Sequence, residues 1–115
     1  MNFVSGAIAG GIFAAGNVQI PIKGAPDTPA AKLGFRPEDC QVAPSGKGVL
    51  DADVFTVEMT GDQVLVTLRM DSTPLVVKMP KEFEIEAGAK ASITLDPKHL
   101  YVFDDETGER IRTTS

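Results

Sequence analysis

Tryptophan is absent from this chain of 115 residues, and tyrosine and histidine each occur once. Single-stranded nucleic acids and oligosaccharides are held by stacking on exposed aromatic faces, and this composition offers no such array. Six phenylalanines remain, several of them needed for a core. A concentrated basic face is missing as well. Eleven Lys and Arg stand against sixteen Asp and Glu, a net charge of −5 with the signs interspersed. Phosphate backbones and anionic lipid surfaces need clustered cations, so neither is an expected partner. Cys40 is the only cysteine, which excludes an intrachain disulfide and fits a reducing compartment. Zinc or thiol chemistry needs several Cys or His at ligand spacing, and Cys40 with His99 is too few.

Long apolar runs are also lacking. Residues 1–22 come nearest, but no Lys or Arg precedes them, and Ser5, Asn17, Gln19, Pro21 and repeated Gly interrupt them. They read as strands, so the chain is expected to be soluble and without an export signal.

What is present is turn chemistry. Eleven Gly and eight Pro spread along the chain favour many short strands over long helices. A chain of this length is one domain, residues 1–115, able to bury a core but too small for a nucleotide-hydrolysing domain beside it. Gly10-Gly11 and Gly16-Asn17 suit tight hairpin turns between short strands. Lys23 to Ala31 reads as a loop, because two prolines and a glycine cannot sustain a ladder. Leu33 to Arg36 reads as a strand ended by Pro37. In Val54–Met59 the alternation sets Phe55, Val57 and Met59 on one face and Val54, Thr56 and Glu58 on the other. Thr60-Gly61-Asp62 turns the chain, and Val64, Val66, Leu68 and Met70 line one face of the return. Leu75–Met79, Ala91–Leu95 and His99–Phe103 complete the strands. The expected fold is all-β, a small closed or nearly closed barrel, since closure removes exposed edges.

ATP hydrolysis needs G-x-x-x-x-G-K-[ST], whose backbone amides wrap phosphate and whose hydroxyl holds Mg²⁺. The only Gly-Lys is Gly46-Lys47; Gln41 replaces the first glycine and Gly48 the hydroxyl residue. This chain is therefore not expected to be an enzyme. Asp51 with Asp53, and Glu82, Glu84 and Glu86, are spaced by two, which sets each group on one face of an extended segment. Carboxylates so placed can serve acid–base chemistry or Ca²⁺, but further oxygen ligands are lacking and a solvated face is the simpler reading. Asp104-Asp105-Glu106-Thr107-Gly108 reads as a capped turn, with Arg110 and Arg112 balancing its charge. In Arg36-Pro37-Glu38, Pro37 fixes its own φ and drives Arg36 toward extended geometry. The result is a defined corner with acceptors on Glu38 and Asp39.

Two stretches carry a resemblance: Gly34-Phe35-Arg36-Pro37-Glu38-Asp39, and Leu95-Asp96-Pro97-Lys98-His99-Leu100-Tyr101-Val102-Phe103-Asp104-Asp105-Glu106-Thr107-Gly108-Glu109-Arg110, with Met1-Asn2-Phe3 as a third. Together they resemble the C-terminal regulatory, TOBE-type domain of ATP-binding subunits of bacterial ABC importers for sugars, polyols and glycerol phosphate. The resemblance implies an OB-like TOBE barrel of two related halves, for which a division near Lys47 would serve. It also implies a fragment of a larger transport ATPase, with ATP and Mg²⁺ bound in the parent and no cofactor or metal in this chain. Expected partners are a second copy of the subunit as a homodimer, its own ATPase domain, and membrane permease subunits. A small-molecule or protein regulator is a further possible partner, and nucleic acid is not. The location implied is cytoplasmic, peripheral to the inner face of the membrane. Gly34, Arg36, Pro37, Glu38 and Asp39 become the candidate inter-domain or regulatory corner. The alternative is a free-standing barrel for small oxyanions of the molybdate type, with Ser5, Lys47, Ser72, Thr73 and Lys78 as possible donors.

Overall fold

The computed structural model describes residues 1–16 and 18–111. Asn17 of the expected Gly16-Asn17 turn and Arg112 of the expected charge balance lie outside the described residues. Among the described residues, eleven strands and two 3₁₀ turns succeed one another: β1 Asn2–Ala9, β2 Ile12–Ala15, β3 Val18–Pro21, β4 Thr28–Phe35, a turn at Pro37–Asp39, β5 Cys40–Pro44 and β6 Leu50–Thr60. Then come β7 Gln63–Met70, β8 Thr73–Pro80, β9 Lys90–Leu95, a turn at Pro97–His99, β10 Tyr101–Asp104 and β11 Arg110–Ile111. The all-β expectation holds. The chain divides into two units, one holding Met1, Phe3–Phe35 and the segment from Pro97 onward, the other Asn2 and Arg36–Asp96. The second is inserted in the first. The division near Lys47 is therefore wrong: that residue lies within the second unit, between β5 and β6.

The first unit carries a six-stranded sheet in the order β11-β10-β4-β1-β2-β3. Gly10 and Gly11, at φ 59° and 76°, make the β1–β2 turn, left-handed geometry that glycine adopts without strain. Ala9 pairs with Ile12 and Ile8 with Phe13 across it. Val4, Ile8, Phe13, Ile20, Leu33, Phe35 and Val102 are buried, the alternate positions of their strands, as a one-sided sheet requires. β4 starts at Thr28, inside the expected loop. Pro29 lies outside the β4–β10 pairing, which runs from Ala31 to Gly34, so no bond to β10 is lost to it.

The second unit carries a five-stranded sheet, β5-β9-β6-β7-β8, over a core that includes Leu50, Val54, Val64, Val66, Leu68, Leu75, Val77 and Ile93. Among the described residues neither sheet is closed by pairing, which corrects the fully closed form of the expected barrel. In the second, β5 and β8 come into contact, and the Val42 amide reaches Met79 Sδ at 3.4 Å, but no ladder joins them. Alternation along a strand specifies its faces and says nothing about whether the edges meet. Asn2, grouped with this unit, is buried. Its side-chain amide donates to the Val76 carbonyl at 2.7 Å and accepts from the Val76 amide at 2.8 Å.

One strand departs from its expected phase. Val54 pairs with Leu68 and Thr56 with Thr67, so Phe55 is the extra residue of a β-bulge. Val54 stays buried and Phe55 is left 48% exposed, while Val57 and Met59 oppose the buried Val66 and Val64. Val54 therefore does not share a face with Thr56 and Glu58. Glu82, Glu84 and Glu86 are exposed as expected, but on a segment with no strand. His99 belongs to the second 3₁₀ turn rather than to β10.

Candidate functional site

The corner singled out in the sequence is where the chain leaves one unit for the other. Arg36 is extended, φ −84° and ψ 150°, and Pro37 opens the 3₁₀ turn Pro37–Asp39. A proline at the first helical position loses no hydrogen bond, because that N–H has no intrahelical partner. The Arg36 carbonyl accepts from the Asp39 amide at 3.0 Å, and both Arg36 and Pro37 carbonyls lie 3.5 Å from Cys40 Sγ. Asp39 in turn accepts from the Asp96 amide at 3.3 Å, tying the corner to the end of β9. Arg36 and Glu38 side chains are exposed, and Pro37 and Asp39 are half-buried. The backbone is fixed locally while the charged groups face outward.

Cys40 sits directly beneath, buried. Burial first, then the neighbouring Asp39 and Glu38 carboxylates, push its thiol up to about 12. It is a protonated structural thiol, the opposite of the depressed thiolate that nucleophilic or metal chemistry requires. Beside it a cleft of about 290 Å³ is lined by Glu38, Asp39, Gln41, Thr94, Leu95 and Asp96 along with Cys40. Among the described residues, no three His, Cys, Asp or Glu groups are placed to hold a metal ion.

Gly34 belongs to β4 of the first unit. It is covered by Met1, Phe3 and Phe103: a Cβ there would meet Met1 Sδ at 2.8 Å and the two rings at 3.2 Å. Phe3 and Phe103 pack edge to face at 5.9 Å. This aromatic cover, formed by the start of the chain and by β10, is not legible in the sequence. The turn after β10 is as expected: Asp104 Oδ1 accepts from the Glu106 and Thr107 amides at 2.9 and 3.3 Å. Its charge is met by Lys32, whose Nζ lies 3.2 Å from Asp105, while Arg110 lies over the Tyr101 ring at 4.7 Å.

The Gly46-Lys47 loop can be tested as a phosphate cradle. Gly46 N–H already donates to Ser92 Oγ at 2.9 Å and to Asp51 Oδ1 at 3.3 Å, and Lys47 N–H donates to the Pro44 carbonyl at 2.9 Å. A loop whose amides are bonded internally, beside a carboxylate, does not fit a nucleotide phosphate. The oxyanion donors are dispersed: Ser5 on β1, Lys47 in the β5–β6 loop, Ser72 and Thr73 at the β7–β8 turn, and Lys78 on β8.

Comparison with known proteins adds a family. The TOBE domain family matches residues 33–103, which include the corner, the whole second unit except Asn2, and β10 as far as Phe103. The chain is 32% identical over 81 residues to the sn-glycerol-3-phosphate import ATP-binding protein UgpC of Cupriavidus pinatubonensis, covering 70% of this chain and 22% of that protein. It is 28% identical over 123 residues to the xylose/arabinose import ATP-binding protein XacK of Haloferax volcanii, covering 97% of this chain and 32% of that protein. A UgpC of Paracoccus denitrificans matches at 28% over 82 residues, 70% of this chain and 23% of that protein. The chain thus spans a third or less of the length of these relatives.

Proposed function

Because this chain belongs to the TOBE domain family, we propose that it is the regulatory and subunit-pairing domain of the ATP-binding subunit of an ABC importer for sugars or related solutes. The observation that carries this is the combined match: a TOBE domain over residues 33–103 in a chain similar to a segment, a third or less of the length, of import ATP-binding proteins. Similarity to two such importer subunits favours this reading over an oxyanion-binding barrel.

On this reading hydrolysis belongs to the rest of the subunit, where ATP and Mg²⁺ bind, and this chain is not the enzyme. Its task is to favour one of two arrangements of a subunit pair beneath the permease, at the cytoplasmic face of the membrane. A domain that makes different contacts in the open and closed arrangements shifts their equilibrium without catalysing anything. Arg36, Pro37, Glu38 and Asp39 are the proposed contact, with the ATPase half or with the partner subunit, because a rigid turn there presents exposed charge. Gly34 is the close-packed position behind it in sequence.

The test is deletion of this region from the full-length subunit, with sizing of the subunit and measurement of solute-dependent transport. Weakened pairing or altered control, with ATP binding retained, supports the proposal. Normal pairing and normal control would refute it.

A further inference from the structure

The second sheet shows what an open face of this chain ordinarily carries. On its outer side Asp53 of β6 stands between its register partners Lys90 on β9 and Arg69 on β7, and all three are exposed. Apolar residues inward and charged residues outward are the usual pattern of a sheet solvated on one side.

Strands β1, β2 and β3 of the first sheet break that pattern. Ala9, Ile12 and Pro21 are register partners across the three strands, and so are Ala7, Ala14 and Gln19. The residues between these rows, Ile8, Phe13 and Ile20, are buried, so both rows lie on the opposite, outer side. Phe3 and Ser5 continue that side along β1. Phe3 is 44% exposed and Ile12 41%, and Ser5, Ala9, Ala14, Gln19 and Pro21 are exposed as well. No Lys, Arg, His, Asp or Glu precedes Lys23, so this face carries no charge at any position. Charge begins at its borders. Lys32 lies 6.0 Å from the Phe3 ring centroid, and Asp27 accepts from the Gly10 amide at 3.0 Å beside the β1–β2 turn. Alanine and proline side chains project little, which leaves the face flat and open to close approach. A contiguous apolar face rimmed by polar groups marks a docking surface.

Its size selects the partner. Phe3–Ala9 taken across the three strands spans about 350 Å², from a rise of about 3.4 Å and a strand spacing of about 4.8 Å. A stable complex of separate molecules buries about 800 Å² on each partner, more than twice what this face offers. An interface between domains of one polypeptide buries about 600–1,500 Å² in total, which the face can supply as one side. A covalent tether raises the effective concentration of the partner to about the millimolar range, so a small apolar contact suffices. The chain spans a third or less of the relatives it matches, so polypeptides of this kind contain such a tethered partner. We infer that the outer face of β1–β3 docks another part of the same, longer polypeptide, through a flat and uncharged surface on that part. The inference rests on the importer reading for the existence of the longer polypeptide. It adds a contact that differs in residues and chemistry from the charged corner at Arg36–Asp39.

The test is maleimide labelling of Ala14→Cys, with Ala9→Cys as a second probe and Lys78→Cys, on the outer side of the second sheet, as the control. Each is made in the 115-residue chain and in the longer polypeptide that the same gene encodes, and each site is read by peptide mass spectrometry. Cys40 is buried and adds little background. Both probes are expected to label about tenfold or more slowly in the longer polypeptide than in the short chain, as burial in a docked state requires. The protection should persist on dilution and without membranes, and Lys78→Cys should label equally in both. Equal rates at both probes, or equal slowing of Lys78→Cys, would overturn the inference. Protection lost on dilution would assign the face to a second copy, and protection found only with membranes would assign it to lipid; either overturns it. A longer polypeptide whose probes stay open refutes this inference alone, whereas absence of any longer polypeptide refutes the importer reading with it.

Discussion

Ser92 allows the stability reasoning to be tested on one hydroxyl. It is fully buried on β9, donates to Asp51 across the β6–β9 ladder and accepts from the Gly46 amide at 2.9 Å. Ser92→Ala removes both bonds at once. Gly46 N–H keeps only its 3.3 Å contact to Asp51, and the carboxylate loses its donor. Hydrogen bonds to a charged partner contribute about 1.5–3 kcal/mol each, and a neutral one about 1. Asp51 is exposed, so water replaces part of what it loses, and a net destabilisation of about 1.5–2 kcal/mol is expected. At about 3–6 °C per kcal/mol for a chain of this size, Tm should fall by roughly 5–10 °C. Urea unfolding of Ser92→Ala, Asp51→Ala and the double variant supplies the cycle. The double variant should be more stable than the sum of the singles by about 1 kcal/mol, because the shared bond is lost only once. A Ser92→Ala change within about 0.5 kcal/mol, or strict additivity, would refute the reasoning.

Three further outcomes are expected. Native Cys40 should react with iodoacetamide at mildly alkaline pH at least about a hundredfold more slowly than in urea, since the reactive thiolate is suppressed; comparable rates would contradict the burial argument. Its folded thiol titrates near 12 against an ordinary 9, so above pH 9 the unfolded chain releases a proton that the folded chain keeps. Stability contributed by this group is therefore complete below pH 9 and falls as pH rises toward 12, and Cys40→Ala should remove that part of the decline. Gly6→Ala should be destabilising by about 2 kcal/mol or more, because its Cβ would meet the Ala14 backbone oxygen at 2.4 Å. Gly34→Ala should be milder, since its nearest contacts are the side-chain ends of Met1, Phe3 and Phe103 rather than backbone; equal effects in urea unfolding would contradict that distinction.

The parts legible in the sequence are those decided locally. The β6–β7–β8 meander comes from alternation of Val64, Val66 and Leu68 with polar residues, and the turns at Gly10-Gly11 and Asp104 from φ preference and side-chain capping. The Arg36-Pro37 corner is readable because proline acts on its immediate neighbour. The bulge at Phe55 is not: an extra residue leaves no mark on the alternation that precedes it, and it reverses the phase of the residues after it. Nor can sequence bring Lys90 and Arg69 to either side of Asp53, since both pairings depend on register between strands far apart in the chain. The same applies to Phe103 over Gly34. Asp51 and Asp53 stand out by their spacing, but their partners are what give them chemistry.

The central claim is that this chain is part of a transport ATPase. It is tested most directly by an antibody against the chain, used on membrane and soluble fractions of the source cell, with the captured protein identified by peptide mass spectrometry. One polypeptide far larger than 12.2 kDa, partly with the membranes, is expected, and its peptides should include a phosphate-binding loop. A soluble protein of 12.2 kDa with no such peptides would contradict it.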